Sequence, residues 1–465
     1  MSKFQQLFTN TIIFAIGNVL TKLILFLLMP LYTTSLTTEQ YGIADLLTNS
    51  IELILPIMTL CISDAVFRLS IDIDIDKKSL LSNGLYILIR GNIIFILIIL
   101  IFSLLFPNEL WFYFYILYLS NSVRQLMAQF TRGIGLVKEF ALSGIISAIA
   151  LVISNIILLL GLNGGVKSYL IAIIISNISS IIYLVRTGKL TDYIEKKSVN
   201  KKLLKDMLKF SIPNIPNMLS WWINNVSSRY IISMICGANI AGMFAAASKI
   251  PSLINVLSSI FQQAWQYSSS KEYVENENSS FYNDVFQYYS GFILIASSSL
   301  LMIIPYISKY VLLGEFYEGW RYIPLLLVSA TIGCYSSFFG TFYLVVKKNT
   351  VGMISTIVGA SINLAICIVT IPTIGVYGAL IASIFSYSVI TYIRIITTRK
   401  YVSIEVNMKK LTICICILLF QSILLVLDIK YKSIGIILLY IGNVSINIKT
   451  LYTPIKQMIR KLISI

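Results

Sequence analysis

The sequence predicts an all-α integral membrane protein: about fourteen transmembrane helices, forming two six-helix lobes plus two extra C-terminal helices. Three observations predict it. Of the 465 residues, 57% are hydrophobic and only 12% charged, with a mean hydropathy of +0.84. Soluble domains run at about 45–50% apolar and about 25% charged. Apolar runs of about 20 residues, the length that crosses a bilayer, recur along the chain. One stretch also repeats another. The composition excludes a soluble globular enzyme and intrinsic disorder alike.

The apolar runs lie at approximately 10–35, 42–66, 80–106, 110–131, 139–160, 167–187, 208–235, 241–267, 285–308, 322–346, 350–371, 374–396, 411–428 and 432–449. The first is too long, and lacks the small-residue cleavage site, for a removable signal peptide. No stretch shows the alternation of a β-barrel strand. The connections are short. The longest polar one, about 188–207, carries Lys189, Lys196, Lys197, Lys201, Lys202 and Lys205. The next, about 268–284, carries Glu272, Glu275 and Glu277. Neither leaves room for a soluble domain, and there is no P-loop, dinucleotide fingerprint or HExxH.

The repeat supplies the lobes. Sliding 144–186 by 208 positions onto 352–394 pairs Gly144 with Gly352, Ser147 with Ser355 and Asn155 with Asn363. It also pairs Tyr169 with Tyr377, Ser180 with Ser388 and Arg186 with Arg394. These are spans 5–6 and 11–12. Both copies start on the same side, so the repeat is parallel. The expected organisation is an N-lobe at 1–190, a basic cytoplasmic linker at 191–207, a C-lobe at 208–400, and spans 13–14 with a cytoplasmic tail at 401–465.

Lys and Arg number 36 against 20 Asp and Glu, a net charge of +16. With the N-terminus inside, 26 bases fall on the cytoplasmic side, 5 outside and 5 within spans. By the positive-inside rule both termini are cytoplasmic. The expected location is a cytoplasmic membrane.

Histidine is absent, which removes His-based acid–base chemistry, Ser-His-Asp and Cys-His triads, and most zinc and haem sites. The six cysteines lie in or beside apolar runs without metal spacing and read as small hydrophobes. No cofactor, metal or nucleic-acid partner is expected.

The five bases within spans are Lys22, Arg90, Arg124, Arg229 and Lys249. The acids there are Glu52, with Asp45 and Asp64 nearer the ends of span 2. A charge at mid-bilayer costs about 2.5–3.5 kcal/mol on insertion scales, so these bases are expected to face one another, the bundle interior or water. Arg124 also has the option of snorkelling to the cytoplasmic surface. Helical spacing adds polar stripes. Span 2 has Asp45, Thr48, Glu52, Pro56, Thr59 and Ser63. Span 7 has Asn214, Asn217, Trp221, Asn224 and Ser228, and span 8 has Ser248, Ser252, Asn255 and Ser259. The plain reading of the Ser, Thr and Asn residues is interhelical hydrogen bonding. The bases outnumber the acids and suggest an anionic ligand; phosphate or pyrophosphate suits Arg and Lys. Lys22, Arg90, Arg124, Arg229, Lys249, Asn217 and Asn224 are the candidate substrate-binding residues. Asp45, Glu52 and Asp64 are candidates for ion coupling or for pairing those bases.

Several short motifs resemble one family. Pro30-Leu31-Tyr32-Thr33, Leu36-Thr37, Glu39-Gln40-Tyr41-Gly42 and Asp45-Leu46 look like the first hairpin of bacterial polysaccharide flippases. Those are the O-antigen and capsular repeat-unit flippases of the multidrug/oligosaccharidyl-lipid/polysaccharide (MOP) exporter superfamily. Val376-Tyr377-Gly378-Ala379-Leu380-Ile381-Ala382 is similar to the family's loop between spans 11 and 12, and Ser63-Asp64-Ala65 with Arg68 is also typical. The resemblance implies a V-shaped, alternating-access flippase with a cationic central cavity, not an enzyme. Its implied substrate is an undecaprenyl-pyrophosphate-linked oligosaccharide, with membrane lipids and a polysaccharide polymerase as further partners. A lipid II flippase and a multidrug antiporter share the fold; the latter would need an acidic or aromatic cavity. A polymerase or ligase is the least favoured, because the external loops are short.

Overall fold

A computed structural model describes residues 24, 26–72, 74–162, 164–194, 199–275, 279–346, 348–402, 404–427 and 432–463. Side chains are described for these except at 263, 264, 267, 268, 270–275, 279, 280, 344, 349 and 449–463. Among the described residues there is no strand. Seventeen α-helices follow in order. They are α1 Met29–Ser35, α2 Thr38–Met58, α3 Ile62–Ser70, α4 Lys77–Leu105, α5 Leu110–Gly133, α6 Val137–Asn155, α7 Gly165–Thr187, α8 Lys201–Ser211, α9 Ile215–Cys236, α10 Ala238–Ala247, α11 Ser252–Glu275, α12 Ser279–Val311, α13 Ile323–Val345, α14 Asn349–Ile374, α15 Val376–Thr398, α16 Met408–Val426 and α17 Lys432–Ile463.

Among the described residues, nine spans are long and apolar enough to cross a membrane, or ten if the bent pair α10–α11 counts as one. A helix stands at every expected run, although most of the first run lies outside the described residues. Two runs are broken. Span 2 divides into α2 and α3, and span 8 bends by 45° between α10 and α11. Large apolar side chains are exposed along these helices, as at Ile93, Leu97 and Leu104 of α4 and Leu438 of α17. A soluble monomer rarely leaves so much uncovered; in lipid this is the outer face of a bundle.

The chain divides into two compact units, Met1–Trp222 and Ile223–Ile465. In the first, α2 starts with a capping box. The Thr37 hydroxyl accepts from Gln40 N–H and the Gln40 side chain accepts from Thr37 N–H, both at 3.1 Å. This satisfies two helix-end donors reciprocally. The rings of Tyr32, Tyr41 and Tyr169 then meet at centroid distances of 5.0–6.2 Å. One core joins Ile62, Val66, Leu81, Leu126 and Phe130. A second joins Ile51, Phe95, Phe114, Tyr118 and Leu170. The end of the basic linker is itself a helix, α8. Its Leu203, Leu204 and Met207 pack on the first core, while Lys201, Lys202, Lys205 and Lys209 stay exposed. Asn83 ties it down by exchanging hydrogen bonds with the Asn200 backbone at 3.0 and 3.1 Å.

In the second unit, α14 and α15 form the repeat's second hairpin. Asn363 is fully buried, as Asn155 is in the first unit. Tyr377 meets Tyr322 edge-on, as Tyr169 meets Tyr32. Gly378 sits hard against the end of α14, where an added Cβ would stand 2.6 Å from the Thr370 carbonyl carbon. The two extra helices are docked rather than loose. Ser298 of α12 donates to Gln421 of α16 at 2.6 Å, and the Gln421 amide donates back to the Ser298 carbonyl at 3.2 Å. Four of the six cysteines are buried, Cys236 is half-buried and Cys416 is exposed.

Candidate binding site

The break in span 2 organises the first unit's site. Pro56 interrupts the hydrogen-bond ladder of α2, since it has no N–H to give. Leu60 and Cys61 then both take left-handed backbone conformations, each with φ of 52°. Such angles are uncommon for residues other than glycine and are concentrated at functional sites. The chain restarts as α3 with Cys61 N-capping it. Broken membrane helices are tolerated where the backbone is buried in protein or lines a cavity.

Here the break lines a cavity of about 290 Å³. Glu52 approaches it from α2 and Asp64 from α3; Asn121 and Gln125 come from α5 and Trp221 from α9. Asn214 lies near the Asp64 side chain. The start of α9 is pinned to α2 by Trp222, whose indole N–H donates to the Asn49 carbonyl at 2.8 Å. The Gln125 Oε1 atom is buried and has no hydrogen-bond partner among the described residues. Among the described residues lining this cavity there is no Lys or Arg. The lower half of the span-2 stripe, from Glu52 to Ser63, thus shares one cavity. Asp45 does not line it and is buried at 3% exposure.

The described candidate bases fall in both units. Arg90 is exposed on α4 among Ile89, Ile93 and Ile94, its guanidinium 4.2 Å from the Tyr86 ring centroid. Arg124 is half-buried on α5. Its Nη1 lies 3.4 Å from Asn177 Oδ1 of α7, and its buried Nε has no partner among the described residues. Asn177 is held in turn by donating to Ser120 at 3.2 Å. In the second unit, Arg229 donates to Ser248 at 3.1 Å, which brings it beside Lys249 at the α10–α11 bend. Asn224 is buried and accepts from Ser386 of α15 at 2.7 Å, so it joins helices. Asn217 is exposed on α9. Lys22 lies outside the described residues.

Three groups escaped the sequence reading. Asn121 and Gln125 flank Arg124 at helical spacing, and the charge drew attention away from them. Arg394, counted with the cytoplasmic bases, is half-buried within the second unit. It donates to Ser355 and Thr356 side chains, both at 3.0 Å, and to the Ser336 carbonyl at 2.8 Å. The repeat hinted at this, because it pairs Arg394 with Arg186 inside aligned helices. Arg186 itself is exposed. Among the described residues no cluster of His, Cys, Asp or Glu is arranged to hold a metal.

A family model described as "Polysaccharide biosynthesis protein" matches residues 7–267. No curated protein matches the chain. Among solved structures, it is similar to an inward-facing multidrug resistance MATE family transporter of the MOP superfamily. That match has 15% identity, 82% of this chain and 94% of the other covered, and a TM-score of 0.68. An outward-facing structure of such a transporter matches at 16% identity, with 84% and 94% covered and a TM-score of 0.60. A MOP superfamily transporter from Pyrococcus furiosus Vc1 (DSM3638), for which a binding pocket of reverse polarity suggests a different function, matches at 16% identity. There the coverage is 84% and 95% and the TM-score 0.59. At such identities the likeness establishes the fold, which is that of MOP-superfamily transporters.

Proposed function

We propose that this chain, which belongs to the polysaccharide biosynthesis protein family, is a membrane exporter for lipid-linked oligosaccharide repeat units. Its cargo would carry an anionic pyrophosphate joining a long polyprenyl chain to sugars, as in undecaprenyl-pyrophosphate-linked units. The observation that carries this reading is Arg124. Its guanidinium sits on α5, at the fourth expected apolar run, touches a neutral amide, and leaves a buried N–H unpartnered among the described residues. A buried charge without full hydrogen bonding is costly, and a diphosphate would supply what is missing in bidentate form. Arg90, Arg229 and Lys249 would give further contacts as the headgroup crosses by alternating access.

The test replaces Arg124, Arg90, Arg229 and Lys249 singly by Ala in a host whose surface polysaccharide depends on the chain. Loss of surface polymer with normal membrane expression supports the reading. Wild-type polymer in all four variants would remove the anion-binding role. A second reading has an observation of its own: the cavity between α2, α3, α5 and α9 is acidic and holds Trp221, as export of lipophilic cations would require. Efflux of ethidium that rises with expression, without effect on polymer, would favour it.

A further inference from the structure

The second unit holds a larger cavity, of about 420 Å³, between α12, α16 and α17. Its mouth is built by the segment that joins α15 to α16. Val402, Ile404 and Val406 of that segment are buried, while Glu405 and Asn407 are exposed. The Glu405 N–H donates to Asn283 Oδ1 of α12 at 2.7 Å. Asn407 caps α16 by accepting from the Lys410 N–H at 3.0 Å. The backbone is thus tied on both sides, and a carboxylate and an ammonium, those of Glu405 and Lys410, line one cavity. From Asn283 to Leu294, α12 lines it for about 16 Å, at about 1.5 Å per residue. Leu294 and Cys414 lie at the deep end. Beyond them the helices close on each other through Ser298 and Gln421.

A mouth that carries both charge signs, over an apolar floor, suits an amphiphile with a zwitterionic head. The mouth lies at the end of the unit that bears exposed Arg399, Lys400 and Lys409, the end that the charge bias assigns to the cytoplasm. Depth from there runs into the bilayer, between helices whose outer faces expose Ile413, Phe420 and Leu438 to lipid. About 420 Å³ is the volume of roughly fourteen waters at about 30 Å³ each, within the about 300–1,000 Å³ of organic-ligand pockets. That is room for a headgroup and its glycerol, with the acyl chains left outside in the membrane. We infer that this cavity seats the headgroup of a phosphatidylethanolamine-type lipid, its phosphate on Lys410 and the start of α16, its ammonium on Glu405. A phosphate gains from the N–H groups and dipole of a helix start. The nearby carboxylate repels a purely anionic head, but gives an ammonium a charge-assisted hydrogen bond. The lipid would bridge α12 and α16 where their own contact leaves a gap, and so hold the two extra helices against the unit. This inference is independent of which cargo the chain moves.

The experiment offers the detergent-purified full chain an equimolar mixture of three lipids and counts those that stay bound by native mass spectrometry. Phosphatidylethanolamine is the expected ligand. Phosphatidylcholine has the same charges but no N–H to give, and phosphatidylglycerol has no amine. Phosphatidylethanolamine should be enriched about tenfold over each of the others, the worth of one charge-assisted hydrogen bond. Glu405→Gln should abolish that enrichment, and Lys410→Gln should lower all bound lipid severalfold. Glu405 is exposed, so its replacement leaves the fold intact. Asp284→Asn and Lys409→Gln alter exposed charges close by in sequence that do not line the cavity, and should leave the enrichment as in wild type. Equal binding of the three lipids, or a preference for phosphatidylglycerol, would overturn the site. So would enrichment that survives Glu405→Gln or that falls equally with Asp284→Asn. Displacement of the bound lipid by an equal concentration of water-soluble phosphoethanolamine would make the ligand a free solute and overturn the lipid assignment.

Discussion

Gly91 gives the sharpest test of how span 2 is built. It lies on α4 directly against the carbonyl of Met58, the last residue of α2 before the break. A Cβ placed there collides with the Met58 carbonyl oxygen and stands 2.9 Å from its carbon. Carbon atoms in contact prefer about 3.5–4.0 Å, so the two helices would have to part by at least roughly 0.6 Å. The obstacle is backbone, which cannot swing aside, so the penalty belongs at the upper end of the about 1–3 kcal/mol seen for overpacking. Against it stands a gain of about 1 kcal/mol from replacing Gly by Ala inside a helix. Gly91→Ala should therefore lose about 2 kcal/mol, an apparent melting midpoint about 4–8 °C lower for a unit of this size. Gly144→Ala is the control: it is also helical, and its Cβ would meet nothing within 4 Å. It should gain up to about 1 kcal/mol. Detergent-purified protein followed by intrinsic fluorescence during heating measures both. A Gly91→Ala midpoint at or above wild type, or the same shift for both variants, would refute the close approach at Met58.

Three other outcomes follow from the same geometry. Asp76 caps α4 by accepting from Ser79 N–H at 2.9 Å and Lys78 N–H at 3.2 Å, and its bonds to Ser79 hold its carboxyl below the ordinary carboxylate value. Asp76→Ala should cost about 1 kcal/mol at neutral pH. The lowered folded value means the stabilisation is present above about pH 4 and lost as pH falls further, so the wild-type advantage should fade in acid melting curves. Arg394→Lys offers one ammonium where three acceptors await and should destabilise the second unit by about 2 kcal/mol, read by thermal melting. Gln421→Leu breaks the reciprocal pair with Ser298 and should cost about 1–3 kcal/mol, with protease sensitivity appearing first near α16.

Helices were the legible part, because a membrane span announces itself by composition and length alone. The first-hairpin motifs were legible too, and the structure supplies their reasons. Thr37 and Gln40 form the capping box, Tyr32 and Tyr41 pack on Tyr169, and Gly378 allows α15 to touch the end of α14. These tasks are structural, which is why such motifs mark a family and not a cargo. The break at Leu60 and Cys61 was not legible. Pro56 signals a weak ladder, but nothing local says that two non-glycine residues will turn left-handed four and five residues later. Gly91 of α4 lies against Met58, just before that turn. The polar stripes were read as faces of straight helices, and the break and the bend redistribute them. Glu52 and Asp64 come to one cavity, while Asn224 turns to Ser386. Periodicity shows which residues share a helix face, not which neighbour that face meets.

On the export reading, the chain moves lipid-linked oligosaccharide across a bilayer. Proteoliposomes holding the purified protein and the extracted carrier on their inner leaflet test it directly, with membrane-impermeant periodate outside to oxidise any sugar that arrives. Oxidation should rise with the amount of wild-type protein and fall with Arg124→Ala. Oxidation no faster than in protein-free vesicles, alongside protein-dependent release of ethidium from the same preparation, would contradict it.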